Sequence, residues 1–542
     1  MLVTGATAAA GSATWNLNPT SGDWNIAANW TPATVPNGPT DTATFDNSNI
    51  TEISLSDKFE VASLIFTPLA SAFTITTTEN MTISGPGIVN NSAVPQNFIA
   101  TSQPGASTGG YFHFYGSATA GNVTFTHHDD PPPESGGAGG TIFHDTSSAG
   151  TATFINEAGD SGGGMNFRDA STADHATFIM EGASISGGTS PGYVFFFGTS
   201  TAANGTFNVL GATYSNGGGS ATQFYDTSTA GDAILTAQAG TVRGADGGQI
   251  YFSARSTAGN AVMIAEGGLT EAHGGTITFD DESSGGTARI EVFGNGTLDI
   301  SNRDLPSVSI GSLEGDGRVL LGAHNLTAGK NNLSTTFSGT MRDGGSGGGK
   351  RGSLTKTGTG NLTLTGANTY TGGTTVGGGI LLANNANGSG TGKGPVWVTA
   401  GTFGGGGTIS GAVTVGTGSG PGAFLGPGAI GVIPGTLTIQ KTLTLMADAT
   451  YKVTLNSTSV TADEVSANGV GIRGAQILLD DRATNVLQPG TVFTVIDNTA
   501  ATSIAGSFAN LADGGTITIG TNTFQANYEG GDGNDLTLTV VP

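Results

Sequence analysis

Three groups of side chains in this 542-residue chain have the types and spacing to hold a cation. Gly530-Gly-Asp-Gly-Asn-Asp-Leu-Thr-Leu538 has the Gly-Gly-x-Gly-x-Asp order of a calcium nonapeptide, with Asp532 and Asp535 as its carboxylates. That motif binds its ion between consecutive stacked copies, and a single copy is present, so a capping turn accounts for the same residues. His127-His-Asp-Asp-Pro-Pro-Pro-Glu134 lines up nitrogen and oxygen donors. Neighbours in a Pro-rich segment rarely converge on one ion, and a solvated loop is expected there. Asp145, Asp169, Asp226 and Asp281 recur at one place in a repeat, Asp145 and Asp169 on consecutive copies. Carboxylates stacked about 5 Å apart repel unless a cation or proton separates them. Calcium is one expectation for this pair; closure of a turn is the other.

Catalytic constellations are harder to assemble. The absence of cysteine excludes disulfides, thiolate metal sites and cysteine nucleophiles. No Ser-His-Asp arrangement, zinc motif or phosphate loop occurs. Residues 105–300 contain Arg168, Arg243, Arg255 and Arg289 and no Lys. Lyase chemistry needs a base beside positive charge, and glycoside cleavage needs two carboxylates at a set separation. Asp280-Asp281-Glu282 supplies acids without a substrate-binding Arg or Trp set. A non-enzyme without a cofactor, calcium aside, is expected. The net charge of −23 disfavours nucleic acid and anionic membrane surfaces. No run approaches the roughly 20 apolar residues of a membrane helix, so no membrane insertion is expected. The first ten residues are small and uncharged, unlike a signal peptide.

The elements that must position these residues are visible as repeats. Charged residues make up 11% of the chain against about 25% in an average domain, and Gly contributes 93 residues. Disorder is opposed by 26 Phe and by dense Val, Ile, Thr and Leu in short alternating runs. A signature close to Ser-Thr-Ala-Gly-x-Ala-x-Phe recurs seven times, its central small residue at Ala120, Ala149, Ala173, Ala202, Ala230, Ala258 and Gly285. Six residues before each stands a Phe: Phe114, Phe143, Phe167, Phe196, Phe224, Phe252 and Phe279. Five residues after each comes a second apolar residue, from Phe125 to Ile290. A unit of 24–29 residues is too short for a propeller blade. It reads as one coil of a β-solenoid, a parallel β-helix in which the Phe set forms an interior ladder along the axis. Composition then divides the chain into a Trp-rich N-terminal cap with the first coils (1–104), the Phe-ladder solenoid (105–300), connecting coils with a basic Gly-rich loop or hinge (301–352), and a C-terminal solenoid (353–542).

Residues 353–383 add a specific signal. Ser353-Leu-Thr-Lys-Thr-Gly-Thr-Gly-Asn-Leu-Thr-Leu-Thr-Gly-Ala-Asn-Thr-Tyr-Thr-Gly-Gly-Thr-Thr-Val-Gly-Gly-Gly-Ile-Leu-Leu-Ala383 closely resembles the autotransporter-associated β-strand repeat. The resemblance extends over about 353–542, is weaker over 1–60 and does not cover the Phe repeats. It implies an all-β, right-handed parallel β-helix, export to the cell exterior or bacterial surface, and a role in adhesion, biofilm or a surface layer. The outer-membrane β-barrel that follows such a passenger is not among these residues. A processed, differently anchored or truncated passenger is therefore expected.

Function then rests on surfaces. Tyr115, Phe195, Phe197, Tyr225 and Tyr251 neighbour the interior Phe positions and must point outward. They read as a sugar-stacking strip or protein interface, or as side chains covered by a neighbouring segment. A structural or adhesive role with a glycan or cell-surface ligand is expected; a polysaccharide-binding or polysaccharide-degrading β-helix is the alternative. The strand-like tail Leu536–Val541 reads as a bare solenoid end, and pairing with another chain through it would give a homopolymeric filament.

Overall fold

The computed structural model describes residues 11–103, 106, 109–128, 137–159, 162–184, 190–269, 271–428, 434–483 and 485–542. Packing divides the chain into two units, 1–284 with 295–297, and 285–294 with 298–542. Both are all-β and built from short parallel strands stacked coil on coil, the fold class that the repeats and the resemblance imply.

In the first unit each Phe repeat forms a three-sided coil. Its first strand ends on the ladder Phe, as in Tyr111–Phe114, Gly140–Phe143, Gly164–Phe167 and Tyr193–Phe196, and pairs in register with its counterparts in the coils on either side. The third side is a single bridge residue in the Ser-Thr-Ala corner, running Thr119, Ser148, Thr172, Thr201, Thr229, Thr257 and Ser284. The second strand, such as Thr124–His127 or Thr177–Met180, carries the second apolar residue inward. Every ladder Phe is fully buried, and neighbouring rings stack 4.7–5.0 Å apart and within 15° of parallel. A second ladder, Phe125, Phe154, Phe178 and Phe207, stacks the same way opposite the first and meets it edge to face.

The Ser-Thr-Ala-Gly corner is a local program. The Ser, as at Ser147 and Ser228, is buried and donates its hydroxyl to the carbonyl three residues back at 2.7 Å. The next Ser or Thr accepts the N–H two residues on, as from Gly121, Gly150, Asp174, Ala203, Gly231 and Gly259. Those six acceptor-turn residues all have φ between 48° and 70°, the left-handed region where Gly or Asp is least strained. The Ala between them points into the core with no exposure.

The Trp-rich segment packs at the start of the first unit. Trp15, Trp24 and Trp30 are buried and pack edge to face at 4.9 and 4.8 Å, and each indole N–H reaches a carbonyl. Strand Trp30–Thr31 pairs antiparallel with Ala13–Trp15, which turns the first parallel edge away from further pairing.

In the second unit the motif 353–383 supplies four strands, Ser353–Lys356, Asn361–Leu364, Gly373–Val376 and Ile380–Ala383, and Tyr370 is fully buried with its hydroxyl 2.6 Å from Thr374 Oγ1. In the Gly-rich loop 341–352, Asp343 accepts the N–H groups of Gly352 and Thr371, and Asp299 accepts that of Ser346. The C-terminal end corrects an expectation. Asp535–Val541 is not a bare strand, because Val492–Asn498 pairs with one edge and Asn522–Gly530 with the other, both antiparallel. The chain folds back through Gly531 and Gly533, both at positive φ, and closes the parallel stack with an antiparallel meander.

Candidate functional site

The outward positions of the first sheet in the Phe-repeat unit gather aromatic and basic side chains. Residues one and three before each ladder Phe, and the residue just after it, alternate with the buried positions, so equivalent positions of successive coils form columns. The column just after the ladder runs Tyr115, His144, Arg168, Phe197 and Tyr225. Tyr115 lies on His144 at 4.2 Å and 3°, and Phe197 on Tyr225 at 5.3 Å and 9°. One column inward, His113 Nδ1 is 3.4 Å from His144 Nε2, and Phe195 stacks on Tyr193 at 4.6 Å and meets Phe197 edge-on. Tyr251 donates its hydroxyl to Asp280 at 2.9 Å, and burial with this hydrogen bond pushes its pKa up to about 12.

These rings are half-buried chiefly by one another, Tyr115 being 37% exposed. Stacking along the axis covers their faces and turns their edges outward. An aromatic edge is the positive rim of the ring quadrupole, and the Tyr hydroxyls and His N–H groups lie in it. The strip is therefore better shaped for oxygen-rich or edge-on aromatic contacts than for laying a sugar on a ring face. Burial, then the nearby His144 and Arg168, lower the His113 pKa to about 4; burial and Arg168 lower that of His144, against Asp169 and Asp145. Both rings are neutral near pH 7. Tyr111, His113, His144, Arg168 and Tyr193 belong to this strip although sequence reading passed over them. Counting one and three residues back and one forward from each ladder Phe finds all of them.

The cation candidates sit in turns. Asp145, Asp169, Asp226 and Asp281 have φ of 49–56°. Each carboxylate accepts the N–H of the equivalent residue one coil earlier: Gly116, Asp145, Gly198 and Ala254 at 2.8–3.0 Å. Asp535 accepts the N–H of Asn498 at 2.9 Å, and burial raises its pKa. Asp532 lies in the turn joining two antiparallel strands, an arrangement without the stacked parallel copies of a calcium nonapeptide. Among the described residues no group of three or more His, Asp or Glu is gathered as a metal site.

His127 departs from the solvated loop expected of 127–134. It ends an inward-facing strand position, is fully buried, and bonds Asn156 Oδ1 and Thr141 Oγ1, both at 2.7 Å. Its pKa falls to about 4 because of burial, against the raising influence of Asn156 and Glu157. His128 points out to Glu157, and residues 129–134 lie outside the described residues.

Among curated proteins no relative is found. Among solved structures the Haemophilus influenzae Hap adhesin aligns with 92% of this chain at 11% identity and a TM-score of 0.29. The chain covers 64% of that adhesin chain, and the likeness is too loose to bear on function. The sequence matches the passenger-associated-transport-repeat family over residues 354–383. The chain thus carries an autotransporter passenger repeat, the family to which its motif pointed.

Proposed function

We propose that this chain is the adhesive portion of a secreted or cell-surface protein, a non-catalytic β-helix that presents side chains on the outside of its coils. The observation that carries the reading is the strip from Tyr115 to Tyr251, where aromatic and hydrogen-bonding groups stand on successive coils of a stiff parallel sheet. The passenger repeat supports an exterior location. A surface coated with the purified chain should retain cells or their extracted surface polymers. The double variant Phe197→Ser/Tyr225→Ser should retain at least tenfold fewer at an unchanged far-UV circular dichroism spectrum. Equal retention would remove the strip as the contact. Incubation with a polysaccharide panel should yield no new reducing ends and no unsaturated uronates, and either product would establish the degrading alternative instead.

A further inference from the structure

Positive charge is concentrated in one stretch of this acidic chain. Residues 317–447 hold eight Lys or Arg and a single acid, Asp343, while the rest of the chain holds nine basic and 39 acidic residues. In this stretch the strands Ser353–Lys356, Gly373–Val376, Val396–Val398, Val413–Val415 and Leu443–Leu445 pair coil to coil in register. Counted back from those registers, Arg351, Thr371 and Lys393 hold one corner position on three successive coils. Lys441 stands one residue further along the same corner, two coils on. Arg351, Lys393 and Lys441 therefore mark every second coil, and coils about 4.8 Å apart put them about 10 Å from one another. All three are exposed, and none forms an ion pair among the described residues. Asp343 is already engaged: it accepts the N–H groups of Gly352 and Thr371 and the Thr371 hydroxyl.

Beside this row lies the one Trp of the four that is not buried, Trp397, 42% exposed. Its ring reaches back over the preceding coil, where a β-carbon on Gly373 would stand 2.9 Å from Cζ3; Gly373, at φ 101°, leaves that place open. Gly373 is two residues from Thr371, so the ring sits about 7 Å from the corner, level with the gap between Arg351 and Lys393. The indole N–H groups of Trp15, Trp24 and Trp30 each reach a carbonyl, whereas that of Trp397 donates to no described residue. Thr355, Thr375 and Thr414 share its column and bring hydroxyls without charge. An exposed apolar ring with a free donor, hydroxyls around it and a cation on either side along the axis are thus gathered on one corner.

We infer that this corner binds a linear acidic polysaccharide in which charged and neutral sugars alternate, laid along the axis. Its carboxylates meet Arg351, Lys393 and Lys441, and a neutral sugar between them packs on Trp397 and takes the indole N–H. A compact anion would meet one cation only. Duplex DNA, with a charge per about 1.7 Å, would bring far more phosphates than a cation on every second coil can match. The site lies apart from the aromatic strip and stands without the adhesive reading.

Hyaluronan, with its carboxylate on alternate sugars, is the probe, titrated into the full chain by calorimetry and tryptophan emission. Binding that shifts the emission is expected, because the other three Trp are buried. Carboxyl-reduced hyaluronan should bind at least tenfold more weakly, and raising salt from 0.05 to 0.5 M should cost as much. Arg351→Gln/Lys393→Gln and Trp397→Ala should each weaken binding at least tenfold at an unchanged far-UV circular dichroism spectrum. Lys330→Gln removes an exposed charge of the same stretch from beyond the opposite end of strand Asn325–Ala328, and should leave affinity within twofold. The proposal is overturned by absence of hyaluronan binding, by unchanged emission on binding, by equal affinity for the carboxyl-reduced polymer, or by equal loss in Lys330→Gln. Tighter binding of a single-stranded thymidine oligonucleotide would overturn it in favour of nucleic acid. Phe197→Ser/Tyr225→Ser should bind hyaluronan as the parent does; loss there would move the site to the strip.

Discussion

A carboxylate that accepts its neighbour's N–H is worth measuring at Asp226, which bonds Gly198 N at 2.8 Å from a left-handed turn. Asp226→Ala removes that acceptor and leaves a β-carbon at φ 52°, for an expected loss of about 1–2 kcal/mol in chemical denaturation; Asp226→Asn should lose much less. Ala254 occupies the same place in the next coil, also at φ 52°, without a carboxylate. Ala254→Asn tolerates that conformation and supplies an acceptor, so a gain of about 1 kcal/mol is expected. His127 gives the complementary acid test. Its pKa is about 4 in the folded chain against 6.5 for a free side chain, so the unfolded chain binds the extra proton. Stability from this group is intact above pH 6.5 and is lost as pH falls toward 4. Between pH 7 and 5 the loss should be about 2 kcal/mol. His127→Asn, the residue of the next coil at this position, should flatten that slope. Carboxyls raised by burial, such as Glu181, act in the opposite direction but only near their own lower range.

At the level of strands and turns, the Phe ladder is the test of packing. Phe196 stacks between Phe167 and Phe224 at 4.7 Å on each side with no exposure. Phe196→Ala should cost roughly 3–5 kcal/mol, read from denaturation midpoints; an unshifted midpoint would mean the ladder is not what holds the coils. This ladder, the coil length and the outward aromatics were legible in the sequence because each rests on local spacing that repeats. The role of Asp was half legible: position showed a turn, but only the stack shows that the carboxylate serves the previous coil. Three features were not legible. Asn368 accepts the N–H of Met341 and donates to the carbonyl of Gly390, standing in for a missing backbone partner, and Gln96 does the same for Phe73 and Ser71. His127 faces inward because its strand position, not its Pro-rich sequel, sets its direction. The tail strand is interior to a meander, since antiparallel return depends on long-range partners that no window of sequence contains.

For the whole molecule, the fold-back at the C-terminus changes what truncation should do. Removing residues 536–542 takes the shared partner from Val492–Asn498 and Asn522–Gly530 at once. Freshly exposed edges favour association, so light scattering should rise in the shortened chain, and a shortened chain more monomeric than the parent would contradict this pairing. The turn staples have a further consequence. Each Asp reaches back to the coil before it, never forward, so within the Phe-repeat unit the linkage has a polarity. A fragment cut after a given coil ends on backbone donors that await an acceptor from the missing successor, while its complement begins with a carboxylate that has lost its donor. The first fragment should be rescued only by an added coil bearing Asp or Asn at that position, and the second by any preceding coil, since every non-Pro residue there supplies the backbone N–H, so growth of this unit by duplication is easier to tolerate at one end of a coil than at the other.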